Sequence, residues 1–178
     1  MKQLKGKFKD IYSVNPDKVK DALHDLKYNT DRKAGNSRSE AEVQAEFIQG
    51  MLAGQADYED IKFVASELAL MQGYRFDVVG IKEDTLYIFE LKRDRTRKVG
   101  QVAEYVELVN ANEEYFRKVL SVYPNHAVGD WEKVQGVMVM AHAVNVHKTI
   151  GEKAQDIGVE VWYFEPALRF VDKVRKNK

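Results

Sequence analysis

Asp77, Glu90 and Lys92 are the side chains whose types and spacing point to chemistry. They stand in two short strand-like segments, YRFDVVGI (74–81) and TLYIFELK (85–92), divided by Glu83-Asp84. A two-residue turn at that dipeptide pairs Lys82 with Thr85. Counting outward puts Asp77 opposite Glu90 and Arg75 opposite Lys92. Opposed residues share a face, and so do Glu90 and Lys92 by the two-residue period. Tyr87, Phe89 and Leu91 then face the other way, into packing. Opposed Cβ atoms lie about 5 Å apart. Two ionised carboxylates at that range repel by roughly 3 kcal/mol at an effective dielectric near 20. Against a net stability of about 5–15 kcal/mol, such a pair calls for a compensating cation. Clustered hard oxygens suit Mg²⁺, with water and a phosphate filling the other positions. Lys92 is then placed to reach a metal-bound water or a phosphate under attack. The competing reading is an outward, solvated strand face, and a register slip of one residue would part the two acids.

The elements that must position these groups follow from periodicity. Ser39 opens an amphipathic helix to about Leu52, with Val43, Phe47, Ile48 and Met51 at helical spacing. Three strand-like segments follow at 61–71, 74–81 and 85–92, joined by Gln72-Gly73 and Glu83-Asp84 as an antiparallel meander. A longer helix is predicted from Val99 to Leu120. VQGVMVMA (134–141) reads as a buried strand, 148–156 as a helix, and VEVWYFE (159–165) as a further strand. The last two strands, joined through a helix, are expected to run parallel by a right-handed crossover. The order predicts an α/β fold: a mixed central sheet, an antiparallel meander plus a parallel crossover strand, flanked by helices. Residues 1–38 read as a polar lead-in, with a short helix from Asn15-Pro16 to about Lys27, and 39–178 as one domain.

Composition narrows the classes. The chain has 178 residues, 44% of them hydrophobic, enough for a real core. Its 28 basic and 28 acidic residues exclude a uniformly basic nucleic-acid binder but leave room for local basic patches. The lack of cysteine excludes disulfides, zinc–thiolate sites and cysteine nucleophiles. MKQLKGKFKD lacks the apolar stretch of a signal peptide, and no run reaches membrane-spanning length, so a cytoplasmic protein without membrane contact is expected. His24, His126, His142 and His147 are dispersed and read as loop histidines, and Trp131 and Trp162 as packing residues.

Asp77 followed by Glu90-Leu91-Lys92 at the end of an apolar strand resembles the signature of the PD-(D/E)XK phosphodiesterases. The resemblance covers about residues 39–165 and implies a restriction-endonuclease-like core. Phe76 stands where the fullest motif has proline. The helix beginning Gly100-Gln101-Val102-Ala103-Glu104-Tyr105 resembles the Gln-x-x-x-Tyr helix of RecB-like nucleases and that of archaeal mismatch and branched-DNA endonucleases. Ser37-Arg38-Ser39-Glu40 resembles the start of the first core helix in archaeal Holliday-junction resolvases.

The resemblance implies a metal-dependent endonuclease acting on nucleic acid, DNA before RNA. Mg²⁺, replaceable by Mn²⁺, would be held by Asp77, Glu90, the Leu91 carbonyl and Glu40. Glu42, Glu46 and Glu67 stay open as alternatives to Glu40. Lys92 and Gln101 complete the catalytic set. Arg93, Arg95, Arg97, Lys98 and Tyr105 would hold the nucleic acid, with Lys2, Lys5, Lys7 and Lys9 as a second contact, and a homodimer would supply two sites for two strands. The rivals are a catalytically inactive nucleic-acid-binding module and a protein-interaction module using the basic loop.

Overall fold

The computed structural model describes residues 40–69, 74–92, 99–123, 131–141, 144–164 and 170–174. The lead-in with its lysines, the Gln72-Gly73 turn, Arg93, Arg95, Arg97, Lys98, His24, His126 and His142 lie outside them, as do the side chains of Glu40 and His147.

Helix α1 (Glu40–Leu52) is followed by a short 3-10 turn, Ala56–Tyr58, and then by the three strands of the meander. These are β1 (Lys62–Ala69), β2 (Arg75–Lys82) and β3 (Thr85–Lys92). Helices α2 (Val99–Ala111) and α3 (Glu113–Leu120) lead to β4 (Lys133–Ala141). Helix α4 (Val144–Asp156), β5 (Glu160–Phe164) and β6 (Phe170–Val174) complete the described chain. The six strands lie in one sheet in sequence order. β1–β2, β2–β3 and β5–β6 are antiparallel, whereas β3–β4 and β4–β5 are parallel. This is the mixed, helix-flanked α/β sheet expected from the order of elements.

The hairpin turn forms as read: Lys82 pairs with Thr85, and Glu83 takes φ +52° at the first turn position, as primed turns require. Asp84 ties that turn to the next strand, its carbonyl accepting from Glu132 and Lys133 N–H at 2.7 and 3.2 Å.

Alternation along the strands builds a core on each face. Phe89 and Leu91 of β3 pack with Val78, Val137, Val139 and Trp162 beneath Val43, Phe47, Ile48 and Met51 of α1. Leu86 and Ile88 face the other way and join Val79, Ile81, Leu108, Val109 and Phe116. Trp131 and Trp162 are both buried, as their reading as packing residues required. No helix among the described residues is long and apolar enough to cross a membrane.

Three elements differ from expectation. The long helix is broken at Asn112, whose backbone leaves helical geometry (φ −134°, ψ 36°) while its side-chain amide donates to the Leu108 carbonyl at 2.8 Å. Asparagine competes in this way with the helical ladder. Helix α4 begins at Val144 rather than 148, its start masked in sequence by the β-branched Val144 and Val146. β6 was not anticipated: FVDKV is short and charged, and pairing with β5 gives it strand form.

Gly136 in β4 sets the distance between α2 and the sheet. A Cβ there would stand 2.6 Å from Val102 Cγ1 and 2.9 Å from Val106 Cγ2, both on stiff β-branched side chains of α2. Gly136→Ala is therefore expected to lower stability by about 1–3 kcal/mol through overpacking. Urea unfolding checks this, and an unchanged midpoint would contradict the close approach.

Candidate active site

The site grows from the place where two strands part. The β2–β3 register runs from Lys82↔Thr85 to Val78↔Phe89 and ends there, one step short of the expected Asp77–Glu90 pair. Arg75, expected opposite Lys92, lies beyond the end of the β3 register, while on the other edge of β2 it pairs with Ala69 of β1. Alternation also breaks at this point. Phe76 packs on the α2 side, its ring 4.8 Å from that of Tyr105, in the cluster of Val79 and Ile81 rather than that of Val78. In place of a backbone partner, the Leu91 N–H donates to Asp77 Oδ2 at 2.8 Å. The aspartate thus closes the fork between the strands with its side chain.

Glu90 and Asp77 are brought together there, 3% and 8% exposed. The Lys92 ammonium contacts Glu90 Oε1 at 2.9 Å. Burial above all, then the charge of Glu90, pushes the Asp77 carboxyl up to about 7. The Leu91 N–H bond and the Lys92 charge oppose that rise, and Glu67 adds a smaller push upward.

Helix α2 brings Gln101 and Tyr105 to the same place. The Gln101 amide donates to the Tyr105 hydroxyl at 2.6 Å, the contact expected of residues four apart on one helix face. Burial raises the Tyr105 hydroxyl above its ordinary pKa, and the Glu90 and Asp77 charges add to this, against hydrogen bonds from Gln101 and the Arg75 backbone. The ring is 3% exposed and packs against Tyr74 and Phe76. Tyr105, expected from the sequence to hold nucleic acid, thus has a buried ring whose hydroxyl meets Gln101.

The acidic alternatives separate by place. Glu46 lies near Tyr58, on whose hydroxyl its charge acts. Glu67 falls between the pairs Ser66↔Val78 and Leu68↔Phe76, which sets it against Asp77. It adopts φ +51°, and its carboxylate is held by Arg75 at 3.1 Å and by the Gln44 amide at 2.8 Å. Gln44 is the residue that sequence reasoning missed. It also donates to the Asp77 carbonyl at 3.0 Å. Its signal in the sequence was a polar position on the first helix, one residue from the apolar Val43, and nothing in the pattern distinguished it from a solvated glutamine.

Among the described residues, no group of three or more histidine, aspartate or glutamate side chains is arranged to hold an ion. The smaller set that could hold one is the Asp77 and Glu90 carboxylates, with the Leu91 carbonyl as the third donor expected from the sequence. It fits a hard divalent cation that keeps water or phosphate in its other positions. The cost of burying the Asp77 charge, to which the charge of Glu90 adds, is the strain such a cation would remove.

The rise at Asp77, from burial first and the Glu90 charge second, has a sign. The Asp77 carboxyl titrates near 3.8 when unfolded and near 7 when folded. Between those values the folded chain holds a proton that the unfolded chain has released, so metal-free stability falls as pH rises through that window. The penalty is absent below the unfolded value, complete above the folded one, and at most on the order of 4 kcal/mol. Asp77→Asn keeps an acceptor for the Leu91 N–H and drops the charge. Its metal-free Tm is expected to exceed that of the native chain at pH 8 and to match it at pH 4. Equal values at both pH would show that burying the charged Asp77 costs no stability.

No protein-family model matches the chain, and neither does any curated protein. Among solved structures it is similar to an EndoMS–dsDNA complex, at 23% identity and TM-score 0.39, over 68% of this chain and 46% of that one. It is also similar to a repair endonuclease from Pyrococcus abyssi, at 23% identity and TM-score 0.38, over 66% of this chain and 47% of that one. The matched region is therefore about half the length of each of those proteins.

Proposed function

We propose that this chain is a Mg²⁺-dependent nuclease of the PD-(D/E)XK type that hydrolyses phosphodiester bonds of DNA. One observation carries the reading: two carboxylates, Asp77 and Glu90, are buried together at the open end of a β-ladder with an ammonium 2.9 Å from one of them. A solvated strand face, the competing reading, leaves such groups exposed.

The residues have distinct tasks in this reading. Asp77 is fixed by the Leu91 N–H, so its carboxylate needs little reorganisation to act as a ligand. Glu90 serves as a second ligand and holds Lys92 in place. The chemistry that Mg²⁺, or Mn²⁺, supplies at Asp77, Glu90 and the Leu91 carbonyl is Lewis-acid polarisation of a phosphoryl oxygen and acidification of water. Lys92 stabilises the negative charge that develops on the phosphate, in a site that excludes most bulk solvent. Gln101, steadied by the Tyr105 hydroxyl, orients the substrate from the helix side. Arg93, Arg95, Arg97 and Lys98 follow Lys92 directly in the chain and hold the DNA backbone through charge. Glu40, at the first position of α1, remains the proposed outer acid, and a homodimer would present two such sites to a duplex.

The test is a panel of labelled single-stranded, duplex, flapped and branched substrates with Mg²⁺ or Mn²⁺. Glu90→Gln and Lys92→Ala are each expected to lower cleavage by about 100-fold or more while the fold persists. Full activity in either variant refutes the assignment. Calorimetric titration of the native chain with Mn²⁺ should show binding that Glu90→Gln removes, and no binding to the native chain would favour a non-catalytic nucleic-acid-binding module.

A further inference from the structure

Helix α1 packs on the face of the sheet opposite Tyr105, yet one of its side chains reaches the strand that carries Asp77. Gln44 Nε2 lies 2.8 Å from Glu67 Oε1 and 3.0 Å from the Asp77 carbonyl oxygen. One amide thus ties the first helix to the bulged strand β1 and to the backbone of Asp77. The Glu67 carboxylate is engaged on both sides, Oε1 by Gln44 and Oε2 by the Arg75 guanidinium. Glu67 stands in the left-handed region at φ +51°, in a strand. For a residue other than glycine that conformation costs of order 1–3 kcal/mol and persists only where surrounding contacts over-determine it. The contacts that do so here are those with Gln44 and Arg75.

From this geometry we infer that Gln44 is a positioning residue for the metal site: it fixes the Asp77 peptide and restrains Glu67 beside it. The inference rests on the functional reading given above. β2 has left its β3 partner at Asp77, so the ladder on that side no longer fixes the backbone carrying this carboxylate. The Leu91 N–H anchors the side chain, and Gln44 anchors the carbonyl of the same residue. Removing the amide frees the peptide to rotate. It also leaves Glu67 Oε1 without this donor, beside an acid whose ionisation the Glu67 charge already opposes. The first helix therefore acts on the site through an amide that touches the outer side of the Asp77 strand, whichever acid completes the ligand set.

The test compares the native chain with Gln44→Ala and with Gln44→Met, the latter keeping the length of the side chain without its donor. Mn²⁺ affinity measured by calorimetry is expected to fall about 10- to 100-fold in both, the range for groups that orient a metal ligand. The metal-free Tm should stay within a few degrees of the native value, and kcat for DNA cleavage should fall while KM is retained. If Ala does not fold, Met decides. Native Mn²⁺ affinity in a folded Gln44→Met chain overturns the inference and leaves the functional reading standing. A fall in affinity no larger than the loss of metal-free stability accounts for overturns it too, since that is a packing effect. Failure of the native chain to bind Mn²⁺ or Mg²⁺ overturns both.

Discussion

The hydrogen bond from the Leu91 N–H to the Asp77 carboxylate closes the end of a ladder that the backbone leaves open. A buried N–H without a partner is costly, so the parting of β2 from β3 is tolerable only where a side chain takes over the acceptor role. Aspartate does this at the expense of burying a charge, and it does so beside Glu90, which is itself buried. The outcome is a carboxyl pushed up to about 7, poised between its neutral and charged forms at physiological pH. A single local substitution, side chain for backbone, thus creates both the opening between the strands and the electrostatic demand inside it.

The rest of the molecule serves to hold that opening in shape. The sheet carries α1 on one face and α2 on the other, and each helix sends polar groups to the same point. From the α2 side come the Tyr105 hydroxyl and the Gln101 amide. From the α1 side comes Gln44. Gly136 permits α2 to lie close on β4, which pairs with β3 along its length and so supports Glu90 and Lys92 from behind. The apolar packing of Phe47, Phe89 and Trp162 gives α1 a fixed seat, with ring centroids 5.0–6.4 Å apart. Rigid elements of this kind position functional groups better than loops do.

Charge within the site is balanced locally. Lys92 meets Glu90, and Arg75 meets Glu67, while among the described residues Asp77 is offset by its bond from the Leu91 N–H and by the charge of Lys92. The chain as a whole is neutral, with 28 charges of each sign. In the function proposed above, attraction for a polyanion would come not from the total but from clusters, of which the run Lys92, Arg93, Arg95, Arg97 and Lys98 is the densest next to the acids.

Periodicity and turn chemistry determined much of this protein from sequence alone. Alternation in TLYIFELK assigned Phe89 and Leu91 to the core and Glu90 to the opposite face, because the pleat allows no other distribution. The Glu83-Asp84 turn determined the hairpin register as far as Val78↔Phe89, since a two-residue turn leaves one pairing open. Tertiary structure decided what lay beyond that pair. The end of the ladder at Asp77, the left-handed Glu67 and the reach of Gln44 depend on contacts between α1, β1 and β2, residues 23 to 33 positions apart in the chain. No local pattern encodes such contacts: a glutamine that braces the Asp77 strand and one that faces water have the same neighbours in sequence, and only the packing of the helix on the sheet separates them.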